Sequence, residues 1–486
     1  MEIIWKKMIN YNVLNLRCGI ECHQQLSGKK LFCSCSTNLQ EHNEEIQIRR
    51  KLRAVAGESG KKDIAAVYEE KKDRTYIYHG YEGEYCLVDT DSEPIHNINQ
   101  DALETALAVS KLLKFKIPKE LKVMRKLISD GSVTSSFQRL VICGMESKDS
   151  YLETSQGKVR LTLLSLEEDA CKIIKTEKNN VHFSLSRLGI PLLELTTKAD
   201  IKSPDHAKEV AEMIGMIFRS FPLTRRGLGT IRQDVNLSIK NGARVELKGF
   251  QDIRQMPKVI DLEIERQLSL MKQRKKVQEE VRRVTNENKT RFLRPLPGEA
   301  RIYPETDIQT LPLTKQFLSS IKIPKLLTEK TLALERKYNI INSLAREILK
   351  EEKLEIFEGF LKEFKLQPSL IANIIIEIPK EIKKRFKINK EINNDQFLFV
   401  LKALSEKKIT KDVVLDILVD LLNGKKVSLQ KYKSVNVNLL EKDIEKIVKE
   451  NKDASLNAIM GLVMGRYKGK VDAKEVVGII KKFQKV

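Results

Sequence analysis

Leu14-Asn15-Leu16-Arg17-Cys18-Gly19-Ile20-Glu21-Cys22-His23 alternates without a break, apolar at even positions and polar or glycine at odd ones. A period of two marks a strand with one face in a core. Glu21 and His23 then project from the other face, about 7 Å apart. A carboxylate and an imidazole so placed suit a hard cation or a phosphate–metal complex, and a merely solvated strand face is the plainer alternative.

The same pattern returns downstream. In Ile231-Arg232-Gln233-Asp234-Val235-Asn236-Leu237-Ser238-Ile239 the even residues are polar, and Arg244-Val245-Glu246-Leu247-Lys248 alternates likewise after Asn241-Gly242. The pair reads as a hairpin. A two-residue Asn-Gly loop would turn Asp234 to the face of Val245 and Leu247, which burial forbids, so the loop is expected to be odd in length or the hairpin bulged. With that register Arg232, Asp234, Asn236, Glu246 and Lys248 share one face, as an ion-pair lattice or as a phosphate-and-metal site.

Other segments fit such a site. Leu166-Glu167-Glu168-Asp169 puts three acids at the end of a strand-like run from Val159, and adjacent acids are costly to bury without a cation. Ser129-Asp130-Gly131-Ser132, Ser135-Ser136-Phe137-Gln138-Arg139 and Arg225-Arg226-Gly227-Leu228-Gly229-Thr230 offer small residues whose backbone approaches phosphate closely. Neither a P-loop nor a dinucleotide fingerprint is present, so an ATP site belongs to another architecture. Cys33-Ser34-Cys35 with Cys86 and Asp89 makes an incomplete zinc knuckle pair; reduced cysteines in a structural loop are the alternative.

The 486 residues suit roughly three domains of about 150 residues each. With 41% hydrophobic and 32% charged residues, disorder and fibrous character are excluded. No run approaches a bilayer span and the first residues lack the order of a signal peptide, so a soluble cytoplasmic protein is expected. Seven cysteines are too few for a disulfide scaffold.

The net charge is +22, and residues 311–486 hold 36 Lys and Arg against 23 Asp and Glu, more than half of that excess. Nucleic acid is the expected partner ahead of a membrane, with a Lys-rich solvated surface as the alternative. Composition shifts near Leu311 from strand-like text rich in Gly, Cys and His to Leu, Ile, Lys and Glu at helical spacing. The expected domains are therefore 1–310, 311–425 and 426–486, an α+β unit with a mixed or antiparallel sheet followed by two helical units. A helix is expected over roughly Pro257 to Val284, others around 340–349 and 413–422, and three more near 439–449, 454–467 and 472–483.

In order, Gly19-Ile-Glu-Cys-His-Gln-Gln-Leu26, Lys30-Leu-Phe-Cys-Ser-Cys-Ser36, Asp130-Gly-Ser, Leu166-Glu-Glu-Asp-Ala170, Arg187-Leu-Gly-Ile-Pro-Leu-Leu-Glu194, Gly229-Thr-Ile-Arg-Gln-Asp-Val-Asn236, Glu246-Leu-Lys-Gly249 and Leu293-Arg-Pro-Leu-Pro-Gly298 closely resemble the B/E subunit family of tRNA-dependent amidotransferases. The His-Gln-Gln-Leu wording, Asp-Gly-Ser and lone Cys86 are nearer the archaeal E subunits, partners of an asparaginase-like D subunit, than the bacterial B subunits.

The resemblance implies a cradle domain that uses ATP and Mg²⁺ to phosphorylate the side-chain carboxylate of Glu misacylated on tRNA-Gln. Ammonia from the partner then displaces phosphate to give Gln-tRNA-Gln. On matching positions it implies a metal-bearing site at Glu21, His23, one of Glu167 and Glu168 (Glu168 in the Mg²⁺ set) and Glu194. Ser132, Gln138 and Arg232 fall in the nucleotide pocket, and Asp234, Glu246 and Lys248 complete the catalytic set. It also implies a tRNA-binding tail, with Met460 to Lys470 matching its signature and Lys431, Lys433, Arg466, Lys468, Lys470, Lys481 and Lys482 as phosphate contacts.

Two departures stand out. Only Gln273 to Thr290 fills the place where E subunits carry an inserted domain similar to one in bacterial aspartyl-tRNA synthetases, and the family's four-cysteine zinc site is incomplete, with Asp89 at its fourth position. A subunit that binds RNA without catalysis and a metal-dependent nuclease are the competing readings; the retained acids speak against the first and the family order of motifs against the second.

Overall fold

The computed structural model describes residues 9–39, 43–56, 60–250, 252–285, 287–296, 302–429, 437–451, 454–467 and 473–484. The chain divides into two compact units, 1–325 and 326–486.

In the first unit the strands are β1 (Arg17–Gln25), β2 (Glu44–Arg50), β3 (Thr75–Tyr81), β4 (Glu120–Leu121), β5 (Val123–Leu127) and β6 (Phe137–Met145). They continue with β7 (Tyr151–Thr154), β8 (Gly157–Glu168), β9 (Lys172–Thr176), β10 (Asn180–Ser184), β11 (Pro191–Thr197) and β12 (Ile231–Ser238). The last are β13 (Val245–Phe250), β14 (Glu280–Val284), β15 (Thr290–Pro295), β16 (Ile302–Pro304) and β17 (Leu311–Pro312).

One large sheet runs β15-β14-β13-β12-β1-β11-β8-β6-β5-β16, and β7 pairs with β8; a smaller sheet runs β2-β3-β10-β9. All pairings in the large sheet are antiparallel except β13 with β14. The α+β class expected from the sequence is what the chain adopts.

The alternation in β1 explains its central place. Cys18, Ile20 and Cys22 are fully or almost fully buried and join Leu193, Leu195, Val235, Leu237, Val245 and Leu247 in one continuous core. Helices Gln100–Leu112, Pro204–Phe218 and Met256–Lys272 cover that side, contributing Leu107, Val210, Ile214, Val259 and Ile264. The helix from Pro204 starts where it does because the Ser203 side chain accepts from the His206 N–H and proline suits the first turn. With one sheet face closed by helices, the polar face is left for Glu21, His23 and their neighbours.

Two expected boundaries are corrected. The helix expected to reach Val284 stops at Lys272, and residues 280–284 form β14. Val281 there is fully buried and pairs with Glu246, so tertiary pairing overrides the helical propensity of the Gln-Glu-Glu run. The first unit also runs past Leu311: β17 pairs with β4, and Phe317, Leu318 and Ile321 pack on the large core. Composition marks where helix-forming text begins, not which core it joins.

In the second unit, helices span Leu327–Tyr338, Asn342–Lys350, Leu354–Glu363, Pro368–Phe386, Asn394–Ser405 and Val414–Leu422. The first two are separated at Asn339, whose backbone is left-handed. Helices Val437–Glu450, Leu456–Arg466 and Ala473–Gln484 share a core of their own around Ile444, Ile459, Val463, Val476 and Ile480. Lys431, Lys433, Lys468 and Lys470, and Pro297-Gly298 of the proline-rich motif, lie outside the described residues.

Candidate active site

Register brings the expected residues together. On β1, Glu21 stands between Thr196 of β11 and Asp234 of β12, and His23 between Glu194 and Arg232. Glu194 pairs with Ser165 on β8, so Glu167, two residues on, lies on the same face. The β12–β13 hairpin has the odd-length turn its pattern required, Val235, Asn236 and Leu237 pairing with Leu247, Glu246 and Val245, and a bulge further along shifts the register by one at Gln233–Phe250. Gly249 sits in this bulge at φ +91° and its N–H donates to Asp234 Oδ1 at 3.0 Å.

At the centre, His23 Nε2 is 3.1 Å from Glu194 Oε2, and His23 Nδ1 is buried with no hydrogen-bond partner among the described residues. Burial opposes protonation of His23, but the hydrogen bond and charge of Glu194 outweigh it and raise its pKa. Burial also pushes Glu194 up, and there His23 and Lys126 win and hold it low. Glu167 goes the other way, raised by burial and by the Glu194 charge. Gln138 Nε2 and Ser165 Oγ each donate to it at 3.0 Å. Glu21 is likewise raised, by burial first and then by Glu194 and Glu246, and accepts from Asn236 Nδ2 at 3.0 Å.

Lys248 closes the far side, with its Nζ 2.9 Å from Asp234 Oδ2 and 2.7 Å from Glu246 Oε1. Arg232 turns instead to Asp169, 3.0 Å from its Oδ1, and Gln25 Nε2 donates to Asp169 Oδ2 at 2.6 Å. The Arg232 and Arg187 charges hold buried Asp169 below its ordinary value against the effect of burial.

Two expected residues stand elsewhere. Glu168, placed in the metal set, points to the opposite face of β8, where it accepts from the Arg139 N–H at 3.0 Å and lies 3.7 Å from Arg139 Nη1. Strand alternation separates neighbours, so Glu167 and Glu168 cannot both enter the site. Ser132 spends its hydroxyl on Asp130 Oδ1 at 2.6 Å, in a loop whose Gly131 packs on Tyr76 of the smaller sheet.

Lys126 was not foreseen. It pairs with Gln138 across β5 and β6, and its charge meets Glu167, Glu194 and Glu21; these raise its pKa although burial acts against them. Its surroundings, Met124-Arg125-Lys126-Leu127, carry no pattern that separates it from an ordinary surface lysine.

Glu21, His23 and Glu194 offer ligand atoms within 4.8 Å of one another, and so do Glu21, Asp234 and Glu246. The second set already holds the Lys248 ammonium. The first set, with the unpartnered His23 Nδ1 beside it, fits a hard divalent cation better. A third set, Cys33, Cys35, Cys86 and Asp89, draws together over the same range. There Lys30, fully buried, lies 2.8 Å from Asp89 Oδ2 and donates to the Glu84 and Leu185 carbonyls. Three thiols and one carboxylate are donors that zinc accepts.

Residues 16–319 match the GatB/GatE catalytic domain and residues 355–483 the GatB domain. The chain belongs to the GatB/GatE family. It is 31% identical to the E subunit of the glutamyl-tRNA(Gln) amidotransferase of Methanococcus vannielii, over 96% of this chain and 97% of that one. Against the E subunits of the same enzyme from Methanocaldococcus jannaschii and Methanosarcina barkeri it is also 31% identical, over 98% and 97% of this chain and 99% and 98% of theirs. The alignment with the first spans 618 positions, more than the 486 residues here, so these relatives carry interior segments with no counterpart in this chain.

Proposed function

We propose that this chain is the transamidating subunit of a glutamyl-tRNA(Gln) amidotransferase. It activates the side-chain carboxylate of Glu on tRNA-Gln with ATP and amidates it with ammonia from an asparaginase-like D subunit in the cytoplasm. The observation that carries the reading is a dense face of Glu21, His23, Glu167, Glu194, Asp234 and Glu246 interleaved with Lys126 and Lys248, on a chain of this family. Such a face suits phosphoryl transfer, which asks for cations and positioning rather than a protein nucleophile.

Glu21, His23 and Glu194 are the residues that would hold Mg²⁺, which when bound neutralises phosphate charge. The protein's own groups set the rest. Asn236 fixes the Glu21 carboxylate, Glu194 orients the His23 ring, and Gln138 with Ser165 fixes Glu167. Lys126 and Lys248 supply positive charge from opposite sides of the face for the oxygens of the transferred phosphoryl group. A substrate carboxylate oxygen bonds to the γ-phosphorus as ADP leaves; ammonia then attacks the acyl carbon, and phosphate departs with that oxygen. Arg232 keeps the buried Asp169 in place beside the site. The cysteine cluster with Asp89 is proposed as a structural zinc site.

The oxygen balance gives the test. With ¹⁸O in the side-chain carboxylate of tRNA-bound Glu, the released phosphate is expected to carry one ¹⁸O. Unlabelled phosphate would mean that ATP is hydrolysed without activating the substrate, and the reading would fall.

A further inference from the structure

Asn236 stands between Gly19 of β1 and Glu246 of β13, on the face that carries the site. Gly19 offers it no side chain to pack on, and a groove of about 310 Å³ opens there, lined by Gly19, Glu21, Asn236 and Arg244 among others. Packing alone therefore does not fix the Asn236 amide, and hydrogen bonds decide how it stands.

On the β1 side its Nδ2 donates to Glu21 Oε1 at 3.0 Å. On the β13 side its Oδ1 accepts twice from Arg244, from Nε at 3.2 Å and from Nη2 at 3.1 Å. A guanidinium only donates and an ionised carboxylate only accepts. The amide thus has one orientation that satisfies both ends; turned over, it would set its oxygen against Glu21 and its NH₂ against Arg244. Without Arg244 that choice weakens, because Glu246, the cross-strand neighbour on β13, offers the NH₂ a second carboxylate.

The consequence falls on Glu21, which offers a ligand atom both to the cluster with His23 and Glu194 and to the cluster with Asp234 and Glu246. Asn236 occupies Oε1 and leaves Oε2 for a cation. Arg244 is exposed, and its side chain makes no ion pair among the described residues, so it meets the site through Asn236.

We propose that Arg244 is a positioning residue: by fixing the Asn236 amide it holds the Glu21 carboxylate turned for a divalent cation. That a cation is bound there rests on the function proposed above. Partners behind a metal ligand are worth roughly 10- to 100-fold in metal affinity. The direction of the effect separates this role from that of a bare charge. A positive charge near the site repels a divalent cation, so deleting it would tighten binding. Deleting a positioning residue loosens it.

The test titrates Mn²⁺ into the full chain without ATP or RNA and reads the free ion by its electron paramagnetic resonance signal. Arg244→Ala is expected to weaken Mn²⁺ binding by about tenfold while melting like wild type in the absence of metal. Arg244→Lys, which keeps a donor and the charge, should recover most of the affinity. Asn236→Ala should show a similar loss, and the double variant no more than either single one, because the two residues act in series. Unchanged or tighter binding in Arg244→Ala overturns the proposal, as does an additive loss in the double variant. Wild-type binding that is absent, or undiminished by Glu21→Gln, overturns it too. Mn²⁺ binding that depends on Arg244 in a chain that forms no amidated product would keep the positioning role and remove the function.

Discussion

Glu194 is the residue on which the site turns. It orients His23, keeps its own charge, and raises the pKa of the neighbouring Glu167, so the charges of the three groups are set by one another. Removing a ligand from such a set acts on the chemical step. Glu21→Gln or His23→Ala is expected to lower ATP turnover by a factor of about 10² or more while leaving tRNA affinity nearly intact, measured as tRNA-dependent ADP release beside filter binding. Glu168 gives a pH test away from the proposed metal ligands. Burial raises its pKa from 4.5 to about 7 in the folded chain despite Arg139, so the stability it contributes is complete below pH 4.5 and is lost as pH rises towards 7. Glu168→Gln should flatten that limb, by on the order of 3 kcal/mol, in melts compared at pH 5 and pH 7.5. Alternation in β1 and β12 was enough to single out Glu21, His23 and Asp234. It could not choose between Glu167 and Glu168, because the choice depends on which face of β8 meets β11. Lys126 was illegible, since only pairing across β5, β6 and β8 turns it inward.

Among the elements, the β12–β13 hairpin ties backbone shape to chemistry most closely. The odd-length turn keeps Asp234 on the polar face while Val245 and Leu247 stay in the core, the bulge beyond it lets Phe250 join that core, and Gly249 in the bulge provides both the positive φ and the N–H that holds Asp234. A Cβ at Gly249 would meet nothing within 4 Å, so Gly249→Ala isolates backbone strain from packing. It should cost about 1–3 kcal/mol in chemical denaturation and lower turnover, because Asp234 and its partner Lys248 shift together. A variant as stable and active as wild type would show that the bulge tolerates another conformation. The odd length of the turn was readable in advance because burial fixes the parity of a strand, whereas the bulge at Gly249 was not. The end of the helix at Lys272 was not, since Glu280 to Val284 has mixed composition and becomes a strand only because β13 offers a free edge for parallel pairing.

At the scale of the whole molecule, the first unit holds every acid of the site and the second is a set of helices with excess positive charge. Deleting residues 426–486, proposed as the tRNA-binding tail, should weaken tRNA binding and lower its salt slope by roughly 0.7–0.9 per lost phosphate contact, and saturating tRNA should restore much of the turnover. Binding unchanged by the deletion would contradict that role. The passage from an α+β part to a helical one was legible from composition, whereas the attachment of residues 311–325 to the first unit depends on the β4–β17 pairing, which composition does not carry. The central claim is most directly tested by incubating the purified chain with Glu-tRNA-Gln, ATP, Mg²⁺ and ammonium, with and without the ammonia-producing partner, and identifying the amino acid esterified to the RNA. The account predicts Gln in both cases, with one ADP formed for each Gln. Glu remaining on a tRNA that the protein demonstrably binds, with ATP and ammonium saturating and the partner present, would contradict it.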